Sequence, residues 1–171
     1  MFIEKEQMVG LEYIKRTREY LDYLEEHLVN IAKAFQEVSE ACDGMAWVGD
    51  DYTWHNFRQE VCYHDISKFS EEEFVQYRAK FFPATIELYD CFDPAWDNHK
   101  KENPHHWESI RYDAKRPGET ETDIVHMIID WTAMGYKFGD TAQEYYEANK
   151  SKIKIQEDFT PFMYEVFGRL K

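Results

Sequence analysis

Apolar residues recur at three- and four-residue steps through most of the chain. Tyr20, Leu24, Leu28, Ile31, Phe35 and Val38 form one such series. It predicts one face of a long first helix, because positions three or four apart stack on the same side of an α-helix. His27 falls three after Leu24 and four before Ile31, so it shares that core-facing stripe. Cys42 to Trp54, CDGMAWVGDDYTW, carries two glycines and an acidic cluster and reads as a loop. Beyond it Phe57, Val61, His64 and Lys68 keep the helical step. They predict a second helix whose face starts apolar and turns polar, with Asp65 beside His64 near its end.

Ser70 and Glu73 have capping-box spacing and open a third helix through Phe81 and Phe82. Pro83, Pro94 and Pro104 punctuate the middle of the chain. Asn103-Pro104 reads as an N-cap followed by proline at the first helical position, which places His105 and His106 in a first turn. KRPGETET is a turn or exposed loop, and Asp123 to Met134, DIVHMIIDWTAM, is apolar enough for a buried helix with Asp130 inside it. Asp140 with Gln143 caps a further helix through Asn149, and Thr160-Pro161 opens a last one ending at Leu170. No alternating strand pattern and no repeat interrupts the series. The expectation is an all-α fold, a single helical bundle spanning 1–171.

Composition narrows the class. A chain of 171 residues, 43% hydrophobic and 17% aromatic, can bury a core without disulfide or metal staples. No apolar run approaches the roughly 20 residues of a membrane span, and MFIEKEQMVG lacks the basic region and apolar core of a secretion signal. A cytoplasmic protein with no membrane partner is expected. The net charge of −14 argues against a nucleic-acid polymer as ligand, since such binders carry a basic footprint. Cys42, Cys62 and Cys91 are odd in number and widely spaced, which suggests buried thiols and neither a disulfide framework nor a zinc knuckle.

The residue types that carry chemistry are His27, His64-Asp65, His99, His105-His106 and Asp130. Imidazole nitrogen and carboxylate oxygen are the donors favoured by iron, manganese, zinc and cobalt, and an aspartate can bridge two such ions. Each residue has a structural explanation as well: a core histidine packs and hydrogen-bonds, and a histidine pair polarises a helix start. Asp130 is the least easily explained that way. Between Ile129 and Trp131 its charge is costly to bury, and either a cation or an arginine must offset it. His126, four residues earlier, shares its face as a supporting residue, and His55 reads as a cap or packing residue.

The order His27, His64-Asp65, Asp130 resembles the H…HD…D signature of the HD-domain superfamily of metal-dependent phosphohydrolases. HDISK is similar to the HDIGK variant of its central motif, with Ser67 in the glycine's place. His99 followed by His105-His106 resembles the isolated histidine and HH pair of HD phosphodiesterases with two or more metals, while NPHHWE lacks the DGxGYP extension of the cyclic-dinucleotide branch. The resemblance implies an HD-type helical fold in which His27, His64, Asp65 and Asp130 hold one ion. Asp65 would bridge to a second ion completed by His99, His105 and His106, both ions being Mn, Fe, Co or Zn. If Pro104 starts a helix, His105 and His106 lie about 100° apart around its axis and reach one cleft only from that first turn.

The implied function is hydrolysis of a phosphomonoester or phosphodiester, in a nucleotide, by metal-activated water. Asp65 and Lys68 are then the catalytic candidates. Lys68, one turn after His64, contacts substrate phosphate or is a solvated lysine, and Arg58 is a second phosphate-binding candidate ahead of Arg78, Lys100 and Arg111. Two other classes use the same residues: an HD-fold di-iron oxygenase, and a metal-binding or interaction protein without catalysis.

Overall fold

The computed structural model describes residues 2–45, 51–84 and 92–170. Seven α-helices are described: α1 Phe2–Ala41, α2 Asp51–Cys62, α3 Phe74–Phe81, α4 Phe92–Glu102, α5 Glu119–Phe138, α6 Ala142–Asn149 and α7 Thr160–Arg169. Short 3-10 helices lie at Ile66–Phe69 and Glu157–Phe159, and among the described residues there is no strand. The fold is all-α. No described helix is long and apolar enough to cross a membrane.

The chain forms two compact units, Met1–Glu26 with Asp65–Glu102 and His27–His64 with Asn103–Lys171. In the first, Tyr20 and Leu24 of α1 are buried with Tyr77 of α3 and Ala95 of α4, and Tyr23, Phe74, Phe82, Phe92 and Trp96 pack around them. The Tyr20 ring lies 5.4 Å from Phe74 and 5.8 Å from Phe82. Arg78 is buried here with its guanidinium 3.9 Å from the centre of the Tyr13 ring.

In the second unit α5 is the axis. Ile124, Val125, Met127, Ile128 and Ile129 are all buried, in one cluster with Ile31, Ala34 and Val38 of α1, Phe57 and Val61 of α2, and Met163, Val166 and Phe167 of α7. A helix apolar on nearly every side is one enclosed on nearly every side. Its first turns are tied down by Arg111, which bonds Asp123 through its backbone N–H (2.9 Å) and its guanidinium (3.0 Å), and reaches Glu60 at 3.1 Å. Thr120 donates to the Arg111 carbonyl at 2.8 Å. Arg111 is therefore engaged by two carboxylates, while Lys100 pairs with Asp97 (3.0 Å).

Several boundaries differ from expectation. The loop read over Cys42 to Trp54 ends early, since α2 already begins at Asp51; residues 46–50 lie outside the described residues. At its other end α2 stops at Cys62, and Asp65 takes φ 57°, a left-handed conformation that no right-handed helix passes through and that aspartate tolerates better than most residues. Lys68 thus sits in the following 3-10 turn and not on the stripe of α2. Ser70 and Glu73 form no capping box: Glu73 is the N-cap residue of α3 by position, but its side chain makes no cap bond and is committed elsewhere. Residues 104–109 are turns, so His105 and His106 are not in a helical first turn. The helix expected from Asp123 begins at Glu119 and takes in the end of KRPGETET. The α6 cap is Thr141 with Glu144, one residue later than Asp140 with Gln143, and α7 opens on Thr160-Pro161 as expected. Cys42 is buried, Cys62 is exposed, and Cys91 lies outside the described residues.

Two substitutions test this framework. Arg111→Ala leaves the fully buried Asp123 carboxylate without its cation. It is expected to cost about 3 kcal/mol, the lower end for a broken buried pair because Arg111 itself is partly exposed, read as a lower urea midpoint. A Cβ on Gly135 of α5 would collide with the Asp140 carbonyl oxygen. Gly135→Ala must therefore move backbone and should lower stability by about 2 kcal/mol in the same assay.

Candidate metal centre

A buried polar group of the second unit gathers around His64. It follows α2 in a turn closed by its N–H to the Val61 carbonyl (3.1 Å), and its ring is buried. Helix α5 presents His126 and Asp130, one helical turn apart, so both side chains leave the same face. They address opposite edges of the His64 ring: His126 Nε2 lies 3.0 Å from Nδ1, and Asp130 Oδ1 lies 3.7 Å from Nε2. His27, from α1, brings its Nε2 to 3.1 Å from His64 Nε2 and 3.3 Å from Asp130 Oδ1.

This triangle has the dimensions of a metal site. Ligands about 2.1 Å from one ion, in tetrahedral or octahedral arrangement, lie about 3.0–3.4 Å from each other. The observed edges are 3.1, 3.3 and 3.7 Å. Chemistry agrees with geometry. Two imidazole Nε2 atoms at hydrogen-bond distance cannot both present lone pairs unless a proton or a cation lies between them, and the Asp130 carboxylate favours positive charge at that point. With an ion at His64 Nε2, its Nδ1–H would donate to His126 Nε2, the outer hydrogen bond that fixes a ligating histidine's tautomer. The supporting role expected for His126 on the face of Asp130 is met by this contact, and its partner is His64 because the turn after α2 sets that ring there.

His105 stacks on His64 with ring centres 4.3 Å apart and lies 4.6 Å from His126 and 4.5 Å from His106. His64, His105 and His126 could themselves offer three nitrogens to one ion, all within 4.8 Å of one another. That set needs His64 Nδ1 for the metal, which forgoes the match at Nε2 and omits the carboxylate. The His27–His64–Asp130 set accounts for both ring nitrogens of His64.

The first unit has its own polar group. His99 of α4 is buried with Nε2 3.2 Å from Asp65 Oδ1 and Nδ1 2.8 Å from Glu73 Oε2. Glu73 also accepts from Ser67 Oγ (3.0 Å) and from Asn98 Nδ2 (2.8 Å), and Lys68 Nζ donates to Asp65 Oδ2 at 2.5 Å. Burial alone would raise the Glu73 carboxyl, yet the donors from His99, Asn98 and Ser67 bring it below its ordinary range. Burial likewise opposes a charged His99, and the bonds to Asp65 and Glu73 outweigh it, holding the imidazole above the ordinary histidine range. Tyr20 and Tyr77 close this group. Burial, and then the charges of Asp65 and Glu73, push both phenols far upward, so they stay neutral.

Of the residues singled out in the sequence, His27, His64, Asp130 and His105 thus meet in the second unit, with His106 beside His105. Asp65, His99 and Lys68 meet in the first. Arg58 is exposed on α2, and so is His55. The capping-box spacing of Glu73 gives no sign of its contact with His99, which only the tertiary fold brings about.

Comparison with known families identifies a profile that matches residues 16–168, described as DUF5662, a family of unknown function. The chain belongs to that family. The match spans both polar groups and every described helix, α1 from residue 16 onward and α7 to residue 168. Searches of curated proteins and of solved structures give no match. For this DUF5662 member the clustered histidines and carboxylates therefore support a metal-binding helical protein on geometry and donor chemistry.

The role of His126 can be tested by affinity. His126→Phe removes the acceptor for His64 Nδ1–H while filling much of the same volume. Zn(II) or Co(II) binding, measured by competition with a chelating dye, is expected to weaken about 10–100-fold; an unchanged affinity would remove His126 from the centre.

Proposed function

We propose that this protein is a metal-dependent phosphohydrolase, acting on a phosphomonoester or phosphodiester of a small, nucleotide-like substrate. The observation that carries the reading is the convergence of His27, His64 and Asp130 at ion-ligand spacing inside an all-α unit. The H…HD…D order of the sequence supports it independently. A divalent transition ion bound there supplies Lewis acidity toward a phosphoryl oxygen and lowers the pKa of coordinated water.

The chain's own residues would then do the following. His27 and His64 present Nε2, Asp130 adds the negative charge that raises affinity for a dication, and His126 holds the His64 ring in the tautomer that leaves Nε2 free. From the sequence pattern the proposal also gives Asp65 a ligand role and Lys68 and Arg58 contacts to substrate phosphate. The second ion implied by the resemblance stands on that pattern. Nothing in the net charge favours a polymeric nucleic acid, which keeps the proposed substrate small.

The test is phosphate or nucleoside release from bis-p-nitrophenyl phosphate and from a panel of nucleoside mono-, di- and cyclic phosphates. Each is assayed with Mn(II), Fe(II), Co(II) and Zn(II) against the chelated protein. Activity should require the ion and fall at least about 100-fold in His64→Ala, Asp130→Asn and Asp65→Asn, with helical circular dichroism retained. Oxygen uptake with Fe(II) in place of hydrolysis would replace this reading by di-iron oxygenase chemistry. Metal binding without either reaction would leave a binding protein.

A further inference from the structure

The motif SEEE, Ser70 to Glu73, was expected to start a helix, and the structure uses its glutamate for something else. Glu73 is wholly buried, and three donors converge on its carboxylate: Ser67 Oγ, Asn98 Nδ2 and His99 Nδ1. A helix cap needs no burial and no such convergence, and this side chain makes no cap bond. An ionised carboxylate only accepts, so the proton on the 2.8 Å contact belongs to His99 Nδ1. That fixes the ring: Nε2 is the nitrogen turned to Asp65 Oδ1, 3.2 Å away.

We infer that Glu73 is the positioning residue of a second ion site in the first unit, in which His99 Nε2 and Asp65 Oδ1 are ligands. The inference rests on the metal-dependent reading above and adds to it a residue that the H…HD…D pattern does not contain. The 3.2 Å edge between Nε2 and Oδ1 falls in the range expected for neighbouring ligands of one ion. Glu73 supplies what a ligating imidazole needs on its far side, an anionic acceptor that selects the tautomer, holds the ring plane and raises the basicity of Nε2. Ser67 and Asn98 hold the carboxylate itself. Ser67 takes the place of glycine in the HDISK segment, and its hydroxyl is one of the three donors, so this departure from the HDIGK form is part of the same arrangement.

The test compares wild type, Glu73→Gln and Glu73→Leu, with Zn(II) binding followed by competition with a chelating dye. The Nδ1–H of His99 is observed by nitrogen-15 NMR in the zinc-loaded protein. Wild type is expected to show two classes of ion, one of them lost in His27→Ala with Asp130→Asn and the other sensitive to Glu73. Glu73→Leu should weaken that second class about 10–100-fold and abolish the slowly exchanging ring N–H. Glu73→Gln, whose amide carbonyl still accepts, should recover part of the affinity and keep the N–H, moved upfield. If the leucine variant does not fold, the upfield movement in the glutamine variant decides the matter alone.

Wild-type affinity and an unmoved N–H in the variants would overturn the inference. So would equal loss in both variants in step with their melting temperatures, the mark of a structural role. A single class of ion, lost with His27 and Asp130, would overturn it while leaving the proposed function standing. No bound ion in wild type would overturn both.

Discussion

Two imidazole nitrogens facing each other at 3.1 Å, with a carboxylate oxygen at 3.3 Å from one of them, set the central constraint on this protein. Such an arrangement is repulsive between two lone pairs and becomes favourable when one nitrogen holds a proton or a cation sits among the three atoms. The rest of the second unit is built to impose it. Helix α5 is enclosed by α1, α2 and α7 through Ile124, Met127, Ile128 and Ile129, so His126 is buried on it and the Asp130 side chain is mostly covered. Arg111 anchors its start, and the spacing of His126 and Asp130 delivers one partner to each edge of His64.

The break after α2 matters as much as the helices. A helix continued through His64 and Asp65 would set their side chains about 100° apart on one rod. The left-handed Asp65 ends that possibility, and the two residues join different units: His64 packs with His27, His105 and His126, Asp65 with His99 and Lys68. The HD dipeptide is therefore a junction in the chain as well as a pair of donors.

What the sequence made legible followed from periodicity and residue type. The stripe through Tyr20, Leu24, Ile31 and Val38 placed His27 toward the interior, and Asp130 stood out because its neighbours are Ile129 and Trp131. Both sit in polar groups. The misread parts are those where a local signal competed with a tertiary one. Asn103-Pro104 has every local feature of a helix start, yet the segment forms turns that seat buried His105 against His64. Ser70 and Glu73 satisfy a capping-box spacing, but His99 and Asn98, distant in sequence, draw the glutamate inward. His126 was legible as a supporting residue on the face of Asp130, while its partner, His64, is fixed by a turn that the pattern did not contain.

A metal ion among His27, His64 and Asp130 should be visible in an anomalous-difference map from crystals of protein purified without chelator, recorded across the absorption edge of the metal found. The expected result is a peak about 2.1 Å from His27 Nε2, His64 Nε2 and Asp130 Oδ1. Density with no peak there, and the two imidazoles joined by a shared proton, would contradict it.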